Sequence, residues 1–120
     1  MIKHISIIYR PEGKTHEETV RYWKEVHQNI VKTRLPGLKK YVGNFPVEAP
    51  DAAGKQPGGG RQSRCDAIVE LHFETLADLH AAMASPGWNS PERAQSSSTF
   101  MDYSRMEYVV MEEVVVKLPQ

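Results

Sequence analysis

Turn-forming residues cut this chain into strand and helix signatures whose order leaves few folds available. Lys3 to Tyr9 alternates, with Ile5, Ile7 and Tyr9 on one face and His4, Ser6 and Ile8 on the other, and predicts a strand. Arg10-Pro11-Glu12-Gly13 turns the chain, and Thr15-His16-Glu17-Glu18 has the form of a capping box. The helix it opens should run to about Thr33, where Leu35-Pro36-Gly37 stops it. Leu38 to Val47 predicts a second strand and Ala67 to Phe73 a third. Thr75-Leu76-Ala77-Asp78 caps a helix through Met83, and Ser90-Pro91-Glu92 opens a short one toward Met101. Arg105 to Lys117, dense in Val, Met and Tyr, predicts a final long strand.

The order strand, helix, strand, strand, helix, strand is the split βαβ unit of the α+β class, a ferredoxin-like βαββαβ chain with an antiparallel four-stranded sheet. At 120 residues the chain, 1–120, is expected to be a single domain. Helices on one side leave the opposite sheet face bare. That face is expected to carry Ile5, Ile7, Val69, Leu71 and Phe73, too apolar for water. Two sheets packed face to face would bury it, so a homodimer with an interface on the order of 2,000 Å² is expected. Residues 48–64, rich in Pro, Ala, Gly, Gln and Ser, cannot bury enough apolar surface to offset their ordering and are expected to form a mobile loop.

Fifteen basic and fifteen acidic residues cancel without clustering, so no basic stripe for nucleic acid exists. Apolar runs of a few residues are too short for a membrane span. The strand pattern begins at Met1-Ile2-Lys3-His4, so no secretory signal is expected, and the single Cys65 fits a reducing, cytoplasmic compartment. Cys65 reads as a strand-edge thiol rather than a nucleophile.

The first helix carries the residue with most chemical content. Val20, Trp23, His27, Ile30 and Val31 recur at helical spacing, which places His27 in the apolar seam. A sheltered imidazole is either bonded into the core or, beside a cavity, a general acid/base.

Tyr22-Trp23-Lys24-Glu25-Val26-His27, followed by Leu35-Pro36-Gly37-Leu38-Lys39-Lys40-Tyr41, resembles the helix-one signature of the EthD family of dimeric α/β-barrel proteins. Cys65 to Phe73 is similar to that family's third strand, and Ser85-Pro86 and Phe100-Met101-Asp102 to its post-helix segment. The family takes its name from a protein required in bacterial ether degradation. Similar proteins include lactone isomerases and fungal dehydratases or decarboxylases, and related barrels include cofactor-free monooxygenases; members are often classed as oxidoreductases. The resemblance implies a fold, a dimer and a pocket on the helix side of each sheet, and leaves the reaction open.

With the apolar rows assigned to the dimer, His4, Ser6, Asp66, Glu70 and His72 fall under the helices, facing His27. Ionisable groups converging in a core need partners, water or a chemical role. The expected catalytic set is therefore His27 as proton shuttle, with Asp66 or Glu70 orienting it or acting as a second acid/base group. Tyr22, Trp23, Tyr41 and Trp88 are core residues that can also line a flat apolar pocket, joined by His4, Ser6 and His72, the last nearer the strand end and expected to be exposed. His4, His27, His72 and Glu70 lack short-range ligand spacing, so no metal is expected. Gly58-Gly59-Gly60 follows neither a strand nor a helix pattern, so no phosphate loop and no organic cofactor are expected. Two functions remain. One is a small cofactor-independent enzyme acting by acid/base chemistry, as an isomerase, dehydratase or oxygenase, on a cyclic, aromatic or lactone substrate. The other is a non-catalytic small-molecule-binding accessory to an ether- or aromatic-degrading oxygenase system.

Overall fold

The computed structural model describes residues 1–47 and 60–120. Most of the expected loop at 48–64 lies outside the described residues. Strands β1 (Ile2–Ile8), β2 (Lys40–Asn44), β3 (Ala67–Phe73) and β4 (Glu107–Glu112) form one antiparallel sheet in the order β2-β3-β1-β4. Helices α1 (His16–Tyr22) and α2 (Gln28–Val31) are joined without a break by a π-helical turn, Trp23–His27. Then come α3 (Leu76–Met83) and α4 (Pro91–Phe100). The expected ferredoxin-like α+β fold is present, and β4 is shorter than its Arg105 to Lys117 signature.

Local chemistry explains the boundaries. Thr15 accepts the Glu18 N–H while the Glu18 carboxylate returns to the Thr15 N–H, closing the capping box. Thr75 accepts the Asp78 N–H to cap α3 and Ser90 the Arg93 N–H to cap α4, with Pro91 where a missing N–H costs nothing. Within the first helix the buried positions are Thr19, His27 and Val31, with the half-buried Trp23 completing a spacing of four. A regular α-helix drifts about 40° for every such step. The wider π turn takes that drift back, so all four stay over the sheet.

Register decides which rows face the helices. His4 pairs with Leu71, Ser6 with Val69 and Ile8 with Ala67, so His4 and Ser6 share a face with the wholly apolar row of β3. That face is the helix-covered one, where Ala67, Val69, Leu71 and Phe73 are buried. The expectation that Val69, Leu71 and Phe73 line the bare face is therefore corrected. The row Ile68, Glu70, His72 faces away from the helices instead, beside Lys3, Ile5, Ile7 and Val42.

The core divides in two. Val31, Leu35, Leu71, Phe73, Leu79 and Ala82 form one cluster; Ile8, Ala67, Val69, Phe100 and Met101 form the other. Along β1 the helix-facing row begins at Ile2, against the first cluster, and ends at Ile8 in the second, with His4 and Ser6 between. Gly43 lets the Trp23 indole lie directly on β2, since a Cβ there would stand 2.6 Å from the ring. Truncating Leu71 to Ala should cost about 2–5 kcal/mol, read as a lowered urea midpoint, because it opens a void in the first cluster.

Candidate active site

The gap between the clusters is a cavity of about 150 Å³. An apolar cavity of roughly this size admits benzene. His4 and Ser6 rise from β1, Trp23 and His27 from the π turn, Tyr41 from β2, and Trp88, Arg93 and Ser97 from the α3–α4 region. Phe100, Val69 and Leu71 supply apolar wall.

His27 is 4 % exposed. Its Nδ1 meets Ser96 Oγ at 2.8 Å, and Ser96 in turn meets the Tyr22 hydroxyl at 3.1 Å. Nε2 makes no hydrogen bond among the described residues, and the ring packs on Phe100 with centroids 4.4 Å apart. Burial, with the Arg93 cation adding to it, lowers the His27 pKa from 6.5 to about 4. The imidazole is therefore neutral at pH 7. Its partners are hydroxyls, each able to donate or accept, so both tautomers can be satisfied: Nε2 is a base when Nδ1–H donates to Ser96 and an acid when Ser96 donates to Nδ1.

Arg93 is held over Trp88, its Cζ 4.0 Å from the ring centroid, donating from Nε to the Trp88 carbonyl at 2.6 Å and from Nη1 to Ser97 Oγ at 3.2 Å. Burial raises the Tyr41 pKa, keeping the phenol a proton donor; the Trp23 indole acts weakly the other way. That indole stands edge-on to Tyr41 at 5.4 Å, and its Nε1–H reaches hydrogen-bonding geometry with no acceptor among the described residues. Burial lowers the His4 pKa, and its buried Nδ1 is likewise without a partner among them.

Of the expected site residues, the cavity brings together His27, His4, Ser6, Trp23, Tyr41 and Trp88. Tyr22 stands behind, on Ser96 rather than in the lining. Glu70 and His72 are on the opposite face, where Glu70 accepts from Lys3 at 3.1 Å and Asn44 at 2.8 Å and meets His72 Nε2 at 3.0 Å. His72 is buried, not exposed as expected. Asp66 is tied to the Arg10 N–H at 2.7 Å and to His16 Nδ1 at 2.8 Å, pinning the start of α1 to β3. The four-residue set His4, His27, His72 and Glu70 is thus split between two faces, and no cluster of metal-ligating side chains occurs among the described residues. Arg93, Ser96 and Ser97 are the residues that sequence reasoning passed over. They lie three and four apart, with Phe100 completing one stripe on α4.

Fold and cavity together define a ferredoxin-like α+β protein with a largely apolar chamber, carrying a few polar groups, between sheet and helices. The EthD domain family model matches residues 11–104, and the chain belongs to that family. The chain resembles an EthD family protein of Bacillus halodurans C-125 at 18% identity and a TM-score of 0.68, over 95% of this chain and 99% of that one. A dimeric protein of unknown function and ferredoxin-like fold from Bacteroides fragilis NCTC 9343 matches at 11% identity and TM-score 0.58, covering 93% and 95%. A mutant of SnoaB, a cofactor-independent oxygenase from Streptomyces nogalater, matches at 12% identity and TM-score 0.56, covering 99% and 97%. No curated protein matches the chain significantly in sequence.

Because the folded chain holds His27 neutral, its contribution to stability is complete above the unfolded pKa of 6.5 and is lost as pH falls toward about 4. The loss should reach about 3 kcal/mol at most, and His4 adds to it with the same sign. Urea midpoints of the wild type should fall from pH 7 to pH 4.5, and those of His27→Gln should fall distinctly less.

Proposed function

We propose that the protein is a small-molecule enzyme in which His27 moves a proton on a cyclic, aromatic or lactone substrate seated in the cavity. The observation that carries this is a buried, neutral imidazole whose Nε2 has no partner among the described residues and whose Nδ1 rests on a two-hydroxyl relay beside a ring-sized space. In the base tautomer Nε2 accepts a proton from an acidic carbon or hydroxyl, leaving an imidazolium and a substrate anion. Returning that proton to a second position gives isomerisation; expelling a neighbouring hydroxide with it gives dehydration; exposing the anion to oxygen starts an oxygenation. Shared architecture with the Streptomyces nogalater oxygenase supports the last as chemistry this fold can host. Asp66 and Glu70, engaged elsewhere, have no part in the step, and Tyr41 is the proton donor best placed to face a developing oxyanion.

The working unit in this proposal is a homodimer. The face turned from the helices carries Ile5, Ile7, Val42 and Ile68, and β4 adds Val109 and Met111, 37% and 46% exposed. A second copy covering this row is supported by the dimeric Bacteroides fragilis protein of the same fold. Sedimentation at micromolar concentration should give a dimer, and Ile7→Lys, paired with Ile68 in the register, should give a monomer with unchanged far-ultraviolet dichroism. A wild-type monomer would remove the dimer from the proposal.

His27→Gln keeps volume and one hydrogen bond, so it should retain the fold. Turnover of a substrate found by screening lactones and enolisable ring ketones should drop roughly 10²–10⁴-fold, the usual contribution of a positioned acid/base group. Unchanged activity per folded molecule would leave a binding protein in place of an enzyme.

A further inference from the structure

We infer that Arg93 is an anion receptor and that the cavity takes a single-ring molecule bearing a carboxylate or comparable oxyanion, with the ring under Trp88 and His27. This rests on the cavity being the substrate site. Among the described residues, neither an aspartate nor a glutamate lines it. Arg93 is its one permanently charged side chain, half-buried and without an ion pair among the described residues. The acidic neighbour one position before it, Glu92, is engaged by Arg34. Among the described residues both acceptors of Arg93 are neutral, the Trp88 carbonyl and Ser97 Oγ, and Nη2 makes no hydrogen bond. A sheltered guanidinium without a counter-ion costs free energy that a bound anion recovers, and its planar fork matches carboxylate geometry.

The remaining polar groups point the same way. Ser6, Ser97 and Tyr41 can all donate, as anionic oxygens require. The Trp88 ring beneath it and the hydrogen bonds to the Trp88 carbonyl and Ser97 hold the guanidinium in place, so the charge is presented above the indole rather than on a free stem. The volume of about 150 Å³ limits the ligand to one ring and its substituents.

A coupling follows. Among the described residues, the ionisable side chains around His27 are Arg93, His4, Tyr41, Tyr22 and Tyr103, and Arg93 is the one permanent cation among them. An anion on Arg93 offsets the cation that disfavours the imidazolium, so seating the ligand strengthens His27 as a base.

The test uses benzoate and its neutral isostere benzamide, read by fluorescence of Trp23 and Trp88. Wild-type protein should bind benzoate saturably and at least ten-fold more tightly than benzamide, with the preference shrinking as salt is added. Arg93→Gln should weaken benzoate about ten-fold or more and leave benzamide within about two-fold, the difference expected from losing a charge-assisted pair. Arg93→Lys, which keeps the charge and loses the fork, should fall between. A readout independent of any substitution is the His27 ring titration by NMR, which should move up by about one unit with saturating benzoate and stay put with benzamide. Equal affinity for the two probes, undiminished benzoate binding by folded Arg93→Gln, or no saturable benzoate binding at millimolar concentration would each overturn the assignment. Failure of the proton-transfer reading looks different: His27→Gln then keeps full turnover while benzoate still binds through Arg93.

Discussion

Taking the His27 imidazole out of water penalises its charged form alone, and the surrounding groups compound that penalty. Arg93 adds a cation, Phe100 an aromatic face, and Ser96 a neutral hydroxyl where a carboxylate would have drawn a proton onto the ring. The usual His–carboxylate pairing raises the imidazole pKa and fixes one tautomer. Here the Tyr22–Ser96–His27 chain leaves the ring neutral and accommodates either tautomer, the two hydroxyls rotating to match whichever nitrogen carries the proton. The carboxylates that sequence alone would have lent to His27 are spent on architecture: Asp66 on Arg10 and His16, Glu70 on Lys3 and Asn44.

The same site depends on where the core is interrupted. Two apolar clusters hold the helices to the sheet at either end, and the space between them persists because the residues meeting there are of unequal reach. Gly43 removes a Cβ so that Trp23 can lie flat, and the π turn keeps Trp23 and His27 over the sheet together. Replacing either feature would rotate or lift one wall of the cavity without touching the other cluster.

Most of the fold was legible because caps and breakers are local chemistry. Thr15, Thr75 and Ser90 each mark a helix start by the same side-chain-to-backbone bond, and each was read correctly. The facing of β3 was not legible from β3 alone. Ala67, Val69, Leu71 and Phe73 form an apolar row fit for either side of the sheet, and only the pairing of His4 with Leu71 settles it. The drier helix-covered side takes the purer row, while Glu70 and His72 can sit opposite because Lys3, Asn44 and Glu113 satisfy them. Arg93, Ser96 and Ser97 escaped notice because a helix reading Arg-Ala-Gln-Ser-Ser-Ser looks like a solvated surface. Their positions three and four apart, in phase with Phe100, were the available signal.

A chain shaped by stability alone would have closed the gap. Valine or leucine at positions 4 and 6 would continue the row from Ile2 to Ile8 and join the clusters across Leu71 and Val69. Instead the row holds His4, with a buried nitrogen lacking a partner among the described residues, and Ser6, while α4 sends in a guanidinium without a counter-ion among them. Each of these costs stability where it stands. What they share is one chamber, opposite one neutral histidine. In the proposed reading their relief is shared, a bound molecule that offers oxygen to Arg93 and an exchangeable proton to His27. Perturbed groups gathered around one chamber support a binding site over an imperfect core.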